Sequence, residues 1–468
     1  MTDRLNRARA LAENGDVDES WKLVEQELIE NPDNVLALLL GSFLMEKAKR
    51  LPVAYMMAKR VTELSPEKSA GWLNLGRTAD DMWLLEQSES AHKEAIKRAE
   101  TNQLKASSMV NLAALYINTG RFTEAEPLCV EAMELDPSSR KAKANYGFCL
   151  LARKEWGEGW KYYEYSLGSD SRKKNQYDDE NQWDGTPGKT VVVYGEQGLG
   201  DEICFASMLP DALAISSKVI LECDKRLVGL FKRSFPSARV YGTRNKEKLN
   251  WDESDRDIGA SIPSGGLGAL FRNETSQFPG KPYLKADPDR VMMWKGLWAS
   301  KDKPVIGVSW SGGLRHTAAK YRKIELEQLL PLFNAVDAHW VVLEYKDKQE
   351  EVGTFAKQYG VDIRVYPWAT LTNDYDDTAG LVASLDAVVS MQQSVIHLAG
   401  GLGVPTWVFL PKTTQWRYGE DGNSMPWYQS VKLIRQKVLG EWSGPVNKAI
   451  KELHAYLRGI QRTAKKAA

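Results

Sequence analysis

The residues best suited to chemistry lie in Val191-Val-Val-Tyr-Gly-Glu-Gln-Gly-Leu-Gly-Asp-Glu-Ile-Cys-Phe-Ala. A β-branched run enters a turn carrying Gly195, Gly198 and Gly200, and Asp201 falls where an amphipathic helix begins. Strand, glycine loop and helix N-terminus aim backbone N–H groups and the helix dipole at one spot. The glycines let a ligand approach the backbone closely. Asp201 changes the reading, because a carboxylate there repels phosphate and is suited to take a proton. The plainer alternative is a tight turn capped by Asp201. A P-loop needs Gly-Lys-Ser/Thr where Asp201-Glu202 stands. The glycine spacing is G-x-x-G-x-G rather than the dinucleotide G-x-G-x-x-G, which disfavours a dehydrogenase.

Two further sets of residues are polar in a patterned way. Ile306-Gly-Val-Ser-Trp-Ser-Gly-Gly ends a strand in a backbone-rich loop at Ser311 and Gly312, followed by Arg315, His316, Lys320, Arg322 and Lys323. Cations beside a glycine loop suit a diphosphate, with Arg gripping two oxygens and Lys acting as a point charge; a solvated basic loop is the alternative. Glu344 ends the strand His339-Trp-Val-Val-Leu-Glu, where a carboxylate can hold a ribose hydroxyl pair or cap a helix. Asp386-Ala-Val-Val-Ser-Met-Gln-Gln-Ser-Val-Ile-His runs from a strand through the polar turn Gln392-Gln393-Ser394 into a helix whose N–H groups again face an anion. His397 lies one turn in, as either a packed core residue or a catalyst beside the phosphate site. Trp416-Arg-Tyr-Gly-Glu-Asp-Gly-Asn-Ser-Met-Pro-Trp-Tyr is an aromatic turn-rich loop, fit for sugar stacking or for packing as a lid.

These motifs need elements to hold them. After residue 189 short apolar runs alternate with helical stretches: Val191–Tyr194, Val219–Glu222, Arg239–Tyr241, Val305–Trp310, Trp340–Glu344, Ile363–Tyr366, Ala387–Ser390, Thr406–Leu410 and Val431–Ile434. That alternation predicts parallel sheets covered by helices. Two glycine loops predict two such domains, 189–300 and 301–468, with their ligand loops across one cleft. The helix Pro445–Gly459 is expected to cross back and tie the halves together.

The first third repeats. Pro32 and Pro66 lie 34 residues apart and Pro137 follows 71 residues later, two periods plus three residues. Trp72, Leu75, Gly76 and Ala95 recur as Met109, Leu112, Ala113 and Ala132, and Gly15 and Gly120 share a turn position. Small residues such as Ala54 and Ala125 stand where two helices touch. The period resembles the tetratricopeptide repeat, a helix hairpin that must stack on its neighbours to bury its apolar face. The units run near 1–34, 35–68, 69–105 and 106–139, with a partial fifth over 140–167 that completes an array of 1–167. The three extra residues are assigned to the turn near Thr101. The array either binds an acceptor or partner protein, or only scaffolds or dimerises the chain. Residues 168–188 are polar and broken and read as a linker, with Trp183 pinning its end.

Composition bounds the class. A chain of 468 residues exceeds one core. Hydrophobic content of 43% and charged content of 26% belong to a soluble globular protein, and zero net charge gives no global pull toward nucleic acid or anionic membrane. Cys129, Cys149, Cys204 and Cys223 form no C-x-x-C and no zinc spacing, as in a reduced cytoplasmic protein. The N-terminus lacks a signal-peptide apolar core, and the longest apolar stretch, around Val35–Met45, is too short to span a bilayer.

Gly198-Leu-Gly-Asp, Trp310-Ser-Gly-Gly before Tyr321-Arg-Lys-Ile, and Ser394-Val-Ile-His-Leu-Ala-Gly-Gly-Leu-Gly-Val-Pro together resemble the heptosyltransferase-like glycosyltransferases of the B fold. Behind the repeats, the layout also resembles O-linked N-acetylglucosamine transferase and its bacterial and phage relatives. The resemblance implies an α-solenoid followed by two Rossmann-like α/β domains. It implies inverting transfer from a nucleotide-sugar donor to a hydroxyl of a protein, peptide or glycan, without metal or other cofactor. On it, Asp201 matches the catalytic base, with His397 counted beside it. Gly198, Gly200, Ser311, Gly312, Arg322, Lys323, Glu344, Gln392, Gln393 and Ser394 form the donor side. Heptosyltransferases carry Asp-Thr where this chain has Gln392-Gln393. That departure points away from heptose and leaves open another sugar or a non-catalytic adaptor.

Overall fold

The computed structural model describes residues 3–169, 172–175, 181–244, 250–299, 302–313 and 319–467, with side chains to residue 460. The chain forms two compact units that divide between Cys149 and Leu150.

The first unit is a row of helix hairpins: α1 (Asp3–Glu13), α2 (Val17–Glu30), α3 (Val35–Lys47), α4 (Leu51–Leu64), α5 (Ser69–Asp81), α6 (Leu85–Lys97), α7 (Asn102–Asn118) and α8 (Phe122–Leu135), leading into α9 (Arg140–Ala152). The Asn34 side chain caps α3 by accepting from Leu36 N and Ala37 N, and Thr101 caps α7 through Leu104 N. Within each hairpin the turn needs a left-handed residue, at Gly15 (φ +88°), Lys49 (+59°), Trp83 (+56°), Gly120 (+72°) and Lys154 (+68°). Their numbers are spaced by 34, 34, 37 and 34, so the period continues into a fifth hairpin. The extra residues are not in the turn at Thr101. They lengthen α7, which has 17 residues against 13 in α3 and α5. Ala54 and Ala125 are fully buried, as close helix contact requires.

The second unit begins earlier than the expected linker. Helix α10 (Trp156–Tyr163) is the second half of the fifth hairpin by spacing, yet it packs on the α/β region. Trp160 donates through Nε1 to Arg272 O, Trp156 donates to Thr275 Oγ1, and Gly268 lies against the Trp160 ring with no room for a Cβ. The expected linker is anchored too. Arg172 is buried, donating to Tyr163 O and Ser166 Oγ and pairing with Glu196. Trp183 N donates to Ser261 O and its ring is buried.

Two sheets follow. β1 (Thr190–Tyr194), β2 (Lys218–Glu222), β3 (Arg239–Tyr241) and β4 (Ala260–Pro263) form a parallel sheet in the order β3-β2-β1-β4. Its helices are α11 (Leu199–Phe205), α12 (Leu209–Ile215), α13 (Val228–Ser234) and α14 (Leu267–Phe271). Helix α15 (Pro288–Trp298) leads to the second sheet. That sheet holds β5 (Val305–Ser309), β6 (His339–Val342), β7 (Ile363–Val365), β8 (Ala387–Met391), β9 (Thr406–Leu410), β10 (Ser424–Met425) and β11 (Tyr428–Arg435). The order is β10-β11-β9-β8-β5-β6-β7, parallel except for β10. Its helices are α16 (Leu330–Ala335), α17 (Gln349–Tyr359), α18 (Pro367–Thr370), α19 (Tyr375–Ala383), α20 (Ser394–Leu402) and α21 (Ser443–Ala467). Strand β4, four residues ending in a proline, is absent from the sequence reading.

Strand order locates the crevices. The chain leaves β1 toward β2 on one side and returns as β4 on the other, and it leaves β5 toward β6 and returns as β8. Loops after such strands diverge and open a crevice at the carboxyl ends. These are Gly195–Gly200 in the first sheet, and Trp310–Gly312 with Gln392–Gln393 in the second.

The halves are joined differently from the expectation for the last helix. Within its described side chains α21 packs on its own sheet: Ala449 and Leu453 are buried, the Tyr456 ring lies 5.3 Å from Trp407, and His454 Nε2 meets Ala335 O. The bridging role falls to α15 and α13. Trp298 Nε1 donates to Ser384 Oγ, Gly380 abuts Arg290, and Arg233 grips Asp376 with bonds of 2.7 and 2.6 Å. Among the described residues no helix is long and apolar enough to cross a membrane.

Trp160 tests whether α10 belongs to the α/β unit. Trp160→Ala leaves a cavity and orphans Arg272 O, so urea unfolding of that unit should lose about 3–5 kcal/mol. A loss below about 1 kcal/mol would assign α10 to the repeats alone.

Candidate functional site

The starts of α11 and α20 face each other. A Cβ on Gly200 would sit 3.1 Å from Ser394 Cα and 3.2 Å from His397 Cδ2. The Gly195–Gly200 loop is packed from behind, because a Cβ on Gly195 would collide with Glu202 Oε1. Asp201 is the third residue of α11 and reaches back, its Oδ2 accepting from Gly198 N at 3.0 Å. The capping role is therefore real. Oδ1 pairs with Arg417 from the loop after β9. Arg417 is buried and also donates to Gln197 Oε1 at 2.7 Å. Burial alone would lower its pKa, but Asp201 and the Tyr163 oxygen reverse the effect and leave it raised.

The second sheet brings Ser311 and Gly312 to Gln392 and Gln393. A Cβ on Gly312 would run into Gln392 O, so only glycine fits. Arg322 is buried and donates through Nη2 to Gln392 O at 2.6 Å. Burial lowers its pKa, against the pull of Tyr418, Tyr345 and Asp201. Gln393 is the N-cap of α20 but its side chain does not cap it. Its amide donates to Ser309 Oγ at 2.5 Å instead, and the Gln392 amide donates to Thr413 O. The first N–H groups of α20 thus have no side-chain cap, and Ser394 Oγ accepts from Tyr375 at 3.3 Å.

Three expected site residues take other positions. Lys323 points outward and pairs with Glu325 at 2.7 Å. Glu344 is buried, and accepts from Trp310 N at 2.7 Å, Ser311 N at 2.8 Å and Ser311 Oγ at 2.6 Å. Burial pushes its pKa up against those bonds. It shapes the Ser311–Gly312 loop, and the Ser311 hydroxyl is spent on it. His397 is buried between Tyr428 O–H, 3.1 Å from Nδ1, and Tyr418 O–H, 3.5 Å from Nε2. Burial, Arg417 and Arg322 hold its pKa down to about 3, so the ring is neutral at any working pH. Arg315 and His316 lie outside the described residues.

The aromatic loop is packed: Trp416, Tyr418, Trp427 and Tyr428 are buried, with Trp416 edge-on to Trp160 at 5.6 Å. Arg417, Gln197 and Tyr163 are linked to Asp201 in the structure and were not singled out by sequence reasoning. The only signal was a lone arginine flanked by aromatics. Among the described residues no cluster of His, Cys, Asp or Glu is arranged to hold a metal.

These features define the class: a tetratricopeptide-repeat region followed by an α/β region of two parallel sheets. Residues 106–135 match the tetratricopeptide repeat family. Over 464 residues the chain is 28% identical to Protein FlbA of Caulobacter vibrioides, covering 93% of this chain and 75% of FlbA, a distant homologue. Among solved structures, the thermophilic TPR protein TTC0263 of Thermus thermophilus matches at 20% identity and a TM-score of 0.32, over 36% of this chain and 90% of that one. MamA matches at 18% and 0.30, over 35% and 88%.

The depressed His397 value has a stability consequence. The unfolded imidazole takes a proton near pH 6.5 and the folded one only near 3. Its contribution is complete above about pH 6.5 and is lost as pH falls toward 3, by about 1.4 kcal/mol per unit. From pH 7 to 5 the wild type should lose on the order of 2 kcal/mol more than His397→Gln in urea melts. Equal losses would mean that His397 titrates normally.

Proposed function

We propose that the chain is an inverting, metal-independent glycosyltransferase of the B fold, moving a sugar from a nucleotide-sugar to an acceptor hydroxyl. The observation that carries this reading is the meeting of two helix starts from two parallel sheets. One presents the carboxylate Asp201, and the other the uncapped N–H groups of α20 beside buried Arg322. A proton acceptor facing an anion cradle across one crevice matches what such transfer needs.

In this mechanism the donor diphosphate rests against the N–H groups at Ser394 and the Arg322 guanidinium. Asp201 takes the acceptor proton as its oxygen attacks the anomeric carbon. The sugar–phosphate bond breaks, and the diphosphate leaves with the electron pair. Preorganised N–H donors stabilise that growing charge by about 3 kcal/mol each. The repeat array is assigned the acceptor or a partner protein.

A second reading is favoured by one observation. Gln392 and Gln393 are buried and spend their amides on the protein itself, where heptosyltransferases place a sugar-contacting aspartate. On that reading the α/β region is an adaptor with no turnover.

The test is release of nucleoside diphosphate from UDP-, GDP-, ADP-, CMP- and dTDP-sugars (CMP itself from the monophosphate donor), in chelator. The wild type should turn over one class, and Asp201→Asn should lose a factor of roughly 100 or more. Equal rates for the two proteins would remove Asp201 as the base, and no turnover with any sugar would favour the adaptor.

A further inference from the structure

We propose that Arg417, held by Gln197 and Tyr163, positions the Asp201 carboxylate for proton transfer, so that helix α10 sets the geometry of the reacting group. The inference rests on the reading of Asp201 as the base. It concerns what fixes that base in place.

A carboxylate offers about four lone-pair sites. Gly198 N uses one on Oδ2, and Arg417 Nη2 uses one on Oδ1. One bond on each oxygen sets the plane of the carboxylate. The remaining lone pairs are left for an incoming hydroxyl. A side chain held by the helix backbone alone would still be free to rotate.

Arg417 is itself fixed. Its guanidinium lies 4.7 Å from the Trp416 ring centroid and 5.5 Å from that of Phe205. Nη2 is shared between Asp201 and Gln197 Oε1. The other end of the Gln197 amide donates to the Tyr163 hydroxyl. The amide is therefore oriented, oxygen to Arg417 and nitrogen to Tyr163. Tyr163 is buried at the end of α10, with the Arg172 guanidinium 3.9 Å over its ring and Trp160 and Trp416 edge-on at 5.4 and 5.5 Å. Burial pushes its phenol up to about 12, so it remains a neutral hydroxyl throughout.

The line Tyr163–Gln197–Arg417–Asp201 draws on α10, the β1–α11 loop and the loop after β9. During transfer the proton moves from the acceptor hydroxyl to Asp201 and the acceptor oxygen bonds the anomeric carbon. The electron pair of the broken bond leaves on the phosphate. Arg417 keeps its protons and its place. Its role is positioning, so its loss falls on the chemical step and not on donor affinity.

Wild type, Asp201→Asn, Arg417→Lys, Arg417→Gln and Tyr163→Phe are compared for kcat and donor KM, using the nucleotide-sugar that the wild type turns over. Arg417→Gln is expected to lower kcat roughly tenfold or more with donor KM within about twofold, and Arg417→Lys to recover part of it. Tyr163→Phe, which removes one oxygen and keeps the packing, is expected to lower kcat several-fold with the thermal midpoint unchanged. Arg417→Gln and Tyr163→Phe at wild-type kcat, with Asp201→Asn inactive, would overturn this inference alone. A loss expressed only in KM would overturn it in favour of donor binding. If Arg417→Gln does not fold, Tyr163→Phe decides by the same criterion. Asp201→Asn at wild-type rate, or a wild type inactive on every sugar, would overturn the base reading and this inference with it.

Discussion

At Gly200 the first turn of α11 lies so close to α20 that a single methyl group would press on Ser394 and His397. That approach sets the geometry of the α/β unit. It brings the loops at two topological switch points, each a place where a parallel sheet opens its strand ends, against each other. The surrounding packing serves the same end. Gly312 lies against Gln392 O, Tyr283 O–H reaches Ile203 O, and Arg233 clamps Asp376 from the far side. A larger residue at 200 would separate the two helix starts, and one at 312 would push the Ser311 loop away from Gln392 O.

The buried charges follow from this arrangement. Arg417 and Arg322 are both enclosed, and the Asp201 carboxylate acts on both. His397 adds no charge. Burial, helped by the two guanidinium groups beside it, keeps it neutral, and it serves as a hydrogen-bonded spacer between Tyr418 and Tyr428.

The sequence made the architecture legible where chemistry forces a pattern. The 34-residue period showed through Gly15 and Gly120. The same left-handed turn filled by Lys49, Trp83 and Lys154 was hidden, since those residues give no conformational signal. The main parallel strands were visible as apolar runs, whereas β4, Ala260-Ser-Ile-Pro, has a single β-branched residue and ends in a proline. Of the two glycine loops, Gly195–Gly200 reaches the other half at Ser394, whereas Ser311–Gly312 packs on Gln392 of its own sheet. Side-chain direction was not legible. Glu344 and Lys323 stand at positions that could face a ligand, and only tertiary packing turns one inward onto Ser311 and the other out to Glu325. Arg417 escaped notice because its partner is more than 200 residues away, and no local spacing encodes that pairing. The assignment of α10 failed for a related reason: its repeat signature is genuine, but its tryptophans are spent on the α/β unit.

The most direct test of the central claim is calorimetric titration of the intact chain with nucleoside diphosphates in chelator. Wild type, Asp201→Asn and Arg322→Ala should be measured side by side. The account predicts saturable binding of one nucleoside diphosphate, retained in Asp201→Asn and weakened roughly tenfold or more in Arg322→Ala, the loss expected when a charged donor to phosphate is removed. No binding by the wild type, or equal affinity in Arg322→Ala, would contradict an anion cradle at the start of α20.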